Sequence, residues 1–159
     1  MATPVSAGLL RRIAAMGYDS LLVFSLLFGA TALYGWLARL INPGPSSVTI
    51  TNDSVVKQIE PVASGPLFNL YLVVIIIAFF VYFWRKSGQT LGMQAWRLRI
   101  DSLDGGRINT GQALLRLAVA PLSAACLGLG YLWVLIDREQ RSWHDICSRS
   151  RVVLLPKKK

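Results

Sequence analysis

The sequence predicts an all-α integral membrane protein. Two transmembrane helices are firm; a third apolar segment is either a re-entrant helical hairpin or a kinked span, and a small cytoplasmic β-hairpin completes the fold. Three observations predict this. Of 159 residues, 53% are hydrophobic and only 16% charged, against about 25% charged in ordinary soluble domains, and the mean hydropathy is +0.47. Ser20 to Ala38, Leu67 to Trp84 and Leu117 to Ile136 contain no charged residue, and each is close to the roughly 20 residues that cross a hydrocarbon core as a helix. The charges fall in clusters between these runs. Seventeen Lys and Arg against eight Asp and Glu give +9, but a nucleic-acid binder displays such charge on a soluble face. The partner implied is the lipid bilayer, with no nucleic acid.

Inside lipid the backbone must satisfy its own hydrogen bonds, so each run is read as helical even where β-formers dominate, as in Val73-Val74-Ile75-Ile76-Ile77. The first helix covers about 13–40. Arg11 and Arg12 followed by apolar residues resemble a signal peptide, but Asp19 interrupts the would-be core and apolar residues continue through Ile41. A retained helix is expected. Residues 42–66, rich in Pro, Gly, Ser and Thr, read as an external aqueous loop. The second helix covers 67–84. Residues 87–110 alternate over Trp96-Arg97-Leu98-Arg99-Ile100 and then carry Asp104-Gly105-Gly106, a hairpin signal. The third apolar segment covers 111–136 and a basic tail 137–159, all within a single domain over 1–159.

Basic residues orient the chain. Residues 1–12 carry +2, residues 85–109 carry +3 and residues 137–159 carry +4, whereas 42–66 carry −1. Short positive segments stay in the cytoplasm, which places the N-terminus and 85–109 inside an inner (plasma) membrane crossed more than once. A single crossing by the third segment would put the +4 tail outside. Pro121 and Gly128-Leu129-Gly130 offer an escape: two half-helices, about 111–125 and 129–141, that dip in and return. The alternative is a kinked span with an external tail.

Charged residues at membrane depth mark function or tight packing. Arg12 and Asp19 lie two helical turns apart, about 10 Å along one face. Arg116 opens the third run and is placed to pair with Asp19 or a lipid phosphate. Asp19 reads either as a structural ion-pair partner or as a carboxylate that handles protons or cations. The tail offers Asp137, His144 and Asp145, but no nucleophile elbow, phosphate loop or metal-ligand spacing accompanies the lone histidine. No catalytic residue, metal or cofactor is expected, and the chain is not expected to be an enzyme. Cys126 and Cys147 lie in dissimilar surroundings and predict no disulfide.

Arg12 and Asp19 in the first helix, Gly88-Gln89-Thr90-Leu91-Gly92-Met93, Leu129-Gly130-Tyr131-Leu132-Trp133, and His144-Asp145 ahead of Val152-Val153 together resemble the RDD family. The likeness spans about residues 8–155. That family is named for one arginine and two aspartates, and the resemblance assigns these to Arg12, Asp19 and Asp145. Gly17-Tyr18 before Asp19, and Cys147-Ser148-Arg149, depart from its usual pattern without removing a charge. The resemblance implies a small bacterial membrane domain of largely undefined activity that is associated with transport. The expected function is therefore transport-related, ion- or proton-coupled, with Arg12, Asp19 and Asp145 as a charge cluster supported by Arg116, Asp137 and His144. The alternative is an accessory or scaffold subunit of a larger membrane complex. Three helices enclose little volume, so either role implies a homo-oligomer or a larger assembly.

Overall fold

A computed structural model describes residues 7–41, 48–51, 54–57 and 64–156, with the backbone alone over 48–51 and 54–57. The elements in order are α1 (Leu9–Ile41), β1 (Val48–Thr51), β2 (Ser54–Lys57), α2 (Pro66–Ser87), α3 (Leu91–Ala95), β3 (Leu98–Ser102), α4 (Thr110–Ala125), α5 (Leu129–Leu132), a 3-10 turn (Trp133–Leu135), α6 (Trp143–Cys147) and β4 (Ser150–Leu154). Helices α1 and α2 are each long and apolar enough to cross a membrane, and α4 with Leu129–Leu135 forms a bent pair that could supply a third span. Side chains such as Leu21, Phe24, Phe28, Val73 and Val74 stand exposed along α1 and α2, as lipid-facing residues do.

The chain divides into two compact units, Met1–Val23 with Ile76–Lys159, and Phe24–Ile75. In the smaller unit, Tyr34 packs on Phe68 and Tyr71 at ring-centroid distances of 5.0 and 5.6 Å. The Tyr71 hydroxyl donates to the Ala30 carbonyl at 3.4 Å. Strands β1 and β2 pair antiparallel, Thr51 opposite Ser54. The expected loop over 42–66 thus contains a hairpin; its residues 42–47, 52–53 and 58–63 lie outside the described residues.

The larger unit gathers the start of α1, the end of α2 and everything after it. Its core comprises Ala7, Ala15, Trp84, Met93, Leu98, Ile100, Ile108, Ala113 and Val152, flanked by Phe80, Val81, Leu117 and Leu154. Fully burying a residue such as Leu98 or Ile100 contributes about 1.5–3 kcal/mol. β3 supplies both because its alternate residues Leu98, Ile100 and Ser102 face inward. The small antiparallel sheet is present, but not as a local hairpin: β3 pairs with β4, Leu98 opposite Leu154 and Ser102 opposite Ser150. Asp104-Gly105-Gly106 does make a turn, with Ser102 N donating to the Gly106 carbonyl at 3.0 Å. No strand follows it because Asn109 and Gln112 form a capping box, at 2.8 and 3.0 Å, that starts α4 instead. The main chain of Ala7 adds to the sheet, its N–H reaching the Val152 carbonyl at 3.2 Å.

α4 runs through Pro121, which does not break it. The break comes at Leu127 and Gly128, both at positive φ (53° and 76°), and the two halves meet at 109°. A side chain on Gly130 would collide with Ser123, so the return half packs directly on α4. That half is short. Helix to residue 141 was expected, but Asp137 accepts the Arg141 N–H at 2.9 Å while Gln140 adopts positive φ, and the chain turns instead.

Candidate functional site

Arg12 projects from the first turns of α1 into the loop and helix of the tail. Its Nε donates to the Ala7 carbonyl at 2.9 Å and its Nη2 to the Gln140 carbonyl at 2.8 Å. Its Nη1 meets Asp145 Oδ2 at 2.5 Å and Ser142 Oγ at 3.5 Å. From the opposite side Arg116, on α4, forms an ion pair with Asp145 Oδ1 and donates to Ser150 Oγ at 2.7 Å. Asp145 is 0% exposed and also accepts the Ser142 N–H at 3.0 Å, one half of a capping box that starts α6. One carboxylate thereby joins α1, α4 and α6.

The electrostatics follow. Burial alone would raise the Asp145 carboxyl, but the guanidiniums of Arg116 and Arg12 overcome it and hold the group well below the usual carboxylate range. Burial, and after it the charge of Arg116, lowers His144 to about 3. Its imidazole is therefore neutral at pH 7. The ring lies 4.9 Å from that of Tyr131, with Nε2 2.9 Å from Ser142 Oγ. Ser148 donates to the His144 carbonyl at 2.6 Å and shares a hydrogen bond with Ser150 at 2.7 Å.

Asp19 belongs to a different contact. Its carboxylate accepts from the Thr90 hydroxyl and, at 2.9 Å, from the Gly92 N–H. Among the described residues it has no ion pair, so Asp19 stands apart from Arg12 and Asp145, where the sequence predicts one charge cluster of the three. Each makes its own junction because α1 presents them two turns apart, Arg12 level with α6 and Asp19 level with α3. The Thr90 hydroxyl donates to Asp19 while accepting the Met93 N–H at 3.2 Å, which caps α3. A Cβ on Gly92 would strike the Ala15 carbonyl and lie 2.8 Å from Asp19 Cγ, so only glycine lets α3 approach α1 this closely. Asp137 stands apart from both contacts. It pairs with Arg141 at 3.1 Å, whose hydrogen bonds lower its carboxyl.

Thr90, Gly92, Ser142, Ser148 and Ser150 complete these contacts and were not singled out as site residues. Thr90 and Gly92 did lie in the block that carried the family likeness, and that block was their only signal. No group of three or more potential metal ligands occurs among the described residues; both cysteines are free and exposed.

Apolar helices joined by buried arginine–aspartate contacts define a helical membrane protein. The model of the RDD family matches residues 6–149, and the chain belongs to that family, which is not known as an enzyme family. Searches of curated proteins and of solved structures return no match.

Proposed function

We propose that this RDD-family membrane protein is an accessory or assembly module of a larger membrane complex, in which Arg12, Arg116 and Asp145 act as a latch. The observation that carries the reading is the state of Asp145: two guanidiniums and a backbone amide already engage a carboxylate with no exposed surface. A group so committed is built to hold elements together rather than to exchange ions. In this reading the protein crosses the inner membrane more than once with a cytoplasmic N-terminus, and the bent α4–α5 pair enters and returns on the tail's side. The positive segments support that orientation, as does the Ala7 to Val152 hydrogen bond, which requires the N-terminal segment and the tail on one side. Purification in mild detergent tests the role: a stoichiometric partner is expected, and a homo-oligomer alone would overturn it.

A second reading, ion- or proton-coupled transport, has one observation in its favour. Asp19 is 6% exposed within an apolar helix and has hydroxyl and amide partners but no cation among the described residues. Its test is pH-dependent cation flux in liposomes, which Asp19→Asn would abolish without changing the oligomeric state.

A further inference from the structure

We infer that Arg116 and Trp84 form a site for an anionic phosphate group, separate from the latch contact that Arg116 makes with Asp145 and independent of whether the protein docks or transports. The first ground is charge. Among the described residues the ionisable groups facing Arg116 are Asp145, Arg12, Tyr131 and His144, and of these only Asp145 is negative. His144 is neutral, and Asp19 is bound to Thr90 and Gly92. Among the described residues two buried guanidiniums therefore face one carboxylate, leaving one positive charge without a counter-charge in a region where such charges are paired.

The second ground is geometry. Arg116 is 5% exposed, yet both of its polar contacts, to Asp145 and Ser150, leave from Nη1. Its Nε and Nη2 donors meet no acceptor among the described residues. The guanidinium stands over the Trp84 ring at 5.7 Å, and that indole is 7% exposed with its Nε1–H buried and unpartnered. Two adjacent donor groups thus share the lack of an acceptor. The flat Nε–Nη2 edge of arginine matches two oxygens of one phosphate, and the indole N–H is a further donor on the ring beneath the guanidinium. Position favours the same chemistry: Arg116 is the last charged residue before the uncharged run Leu117 to Ile136, and Trp84 is the last residue of α2 before Arg85 and Lys86. Both stand where an apolar stretch ends, the depth at which lipid phosphates lie.

The phosphate could belong to a phospholipid headgroup or be free inorganic phosphate, and the test separates them. The full chain in an uncharged detergent is titrated with phosphatidylglycerol, with phosphatidylcholine at equal mole fraction, and with inorganic phosphate at constant ionic strength, and its melting temperature is followed. A saturable rise is expected with phosphatidylglycerol, which assigns the site to lipid; saturation with inorganic phosphate alone assigns it to a free anion. Trp84→Phe keeps an aromatic ring beneath the guanidinium and removes the N–H. It should weaken the apparent affinity about threefold or more, the effect of one hydrogen bond, while the melting temperature without ligand changes little. Arg116→Gln should abolish saturation if it folds. An equal response to phosphatidylglycerol and phosphatidylcholine, no saturable response, or an affinity unchanged in Trp84→Phe would overturn the inference.

Discussion

The Thr90 hydroxyl donates to the Asp19 carboxylate across the junction between α3 and α1. The same oxygen accepts the Met93 N–H that opens α3, so one side chain both starts the short helix and fastens it to the long one. Five residues are too few for a helix to persist on its own; α3 exists because Asp19 and Thr90 hold its first turn.

That dependence ranks three substitutions. Gly92→Ala should be the most harmful, because the added methyl meets the Ala15 backbone carbonyl, which cannot move aside. Overpacking of this kind costs about 1–3 kcal/mol. Asp19→Asn should follow, and Thr90→Ser, which keeps the hydroxyl, should be nearly silent. Melting temperatures in detergent give the order; a Gly92→Ala protein as stable as the parent would refute the close approach.

Asp145 should be the costliest member of the latch to remove. Asp145→Asn strands two buried guanidiniums, whereas Arg12→Gln or Arg116→Gln leaves the carboxylate one partner. Breaking a buried pair typically costs about 3–5 kcal/mol, so Asp145→Asn should reach that range and each arginine variant should fall below it. Thermal or denaturant unfolding of the purified variants checks the ranking.

Arg12 and Asp19 should behave independently. They touch different segments and lie about 10 Å apart along α1, so the losses in Arg12→Gln and Asp19→Asn should add in the double variant to within about 0.5 kcal/mol. A larger coupling energy from the double-mutant cycle would mean that they share a site.

Stability should fall on acidification as His144 meets its unfolded-state proton affinity. Folded His144 binds a proton only near 3, whereas in the unfolded chain it does so near its ordinary 6.5. Between those values the unfolded state binds more protons, so stability is lost as pH drops from about 6.5, by at most about 1.4 kcal/mol per unit. Asp145, also depressed, adds a loss in the same direction only below its ordinary 3.8. Melting curves from pH 7 to pH 4 should slope downward in the parent and flatten in His144→Gln.

The two long helices were legible because an uncharged run of membrane length has few other fates. So was the bent third segment, since Gly128 favours the left-handed turn at the bend and Gly130 lets the return half pack on α4. The pairing of β3 with β4 was not, because strand alternation over 96–100 is local whereas its partner lies fifty residues away and carries no turn signal joining the two. The same limit applied to the charges. Helical spacing put Arg12 and Asp19 on one face of α1, but a shared face does not mean a shared partner, and only the placement of α3 and α6 separates them. Asp137 and Asp145 look alike in the sequence; one caps an open turn and the other is sealed, a difference made by Arg116 arriving from α4.

The Arg12–Asp145 contact spans most of the chain, and this sets an order of events during synthesis. α1 emerges first and its arginine has no carboxylate to meet until residue 145 has left the ribosome, by which time both long helices have been made. Through most of translation, therefore, the larger unit has no closed interior, and a chain stopped between α4 and α6 carries Arg12 and Arg116 without the carboxylate that pairs them. Such a nascent protein lacks the carboxylate that joins α1, α4 and α6 until Asp145 appears, so the synthesis of α6 is itself the step that closes the larger unit.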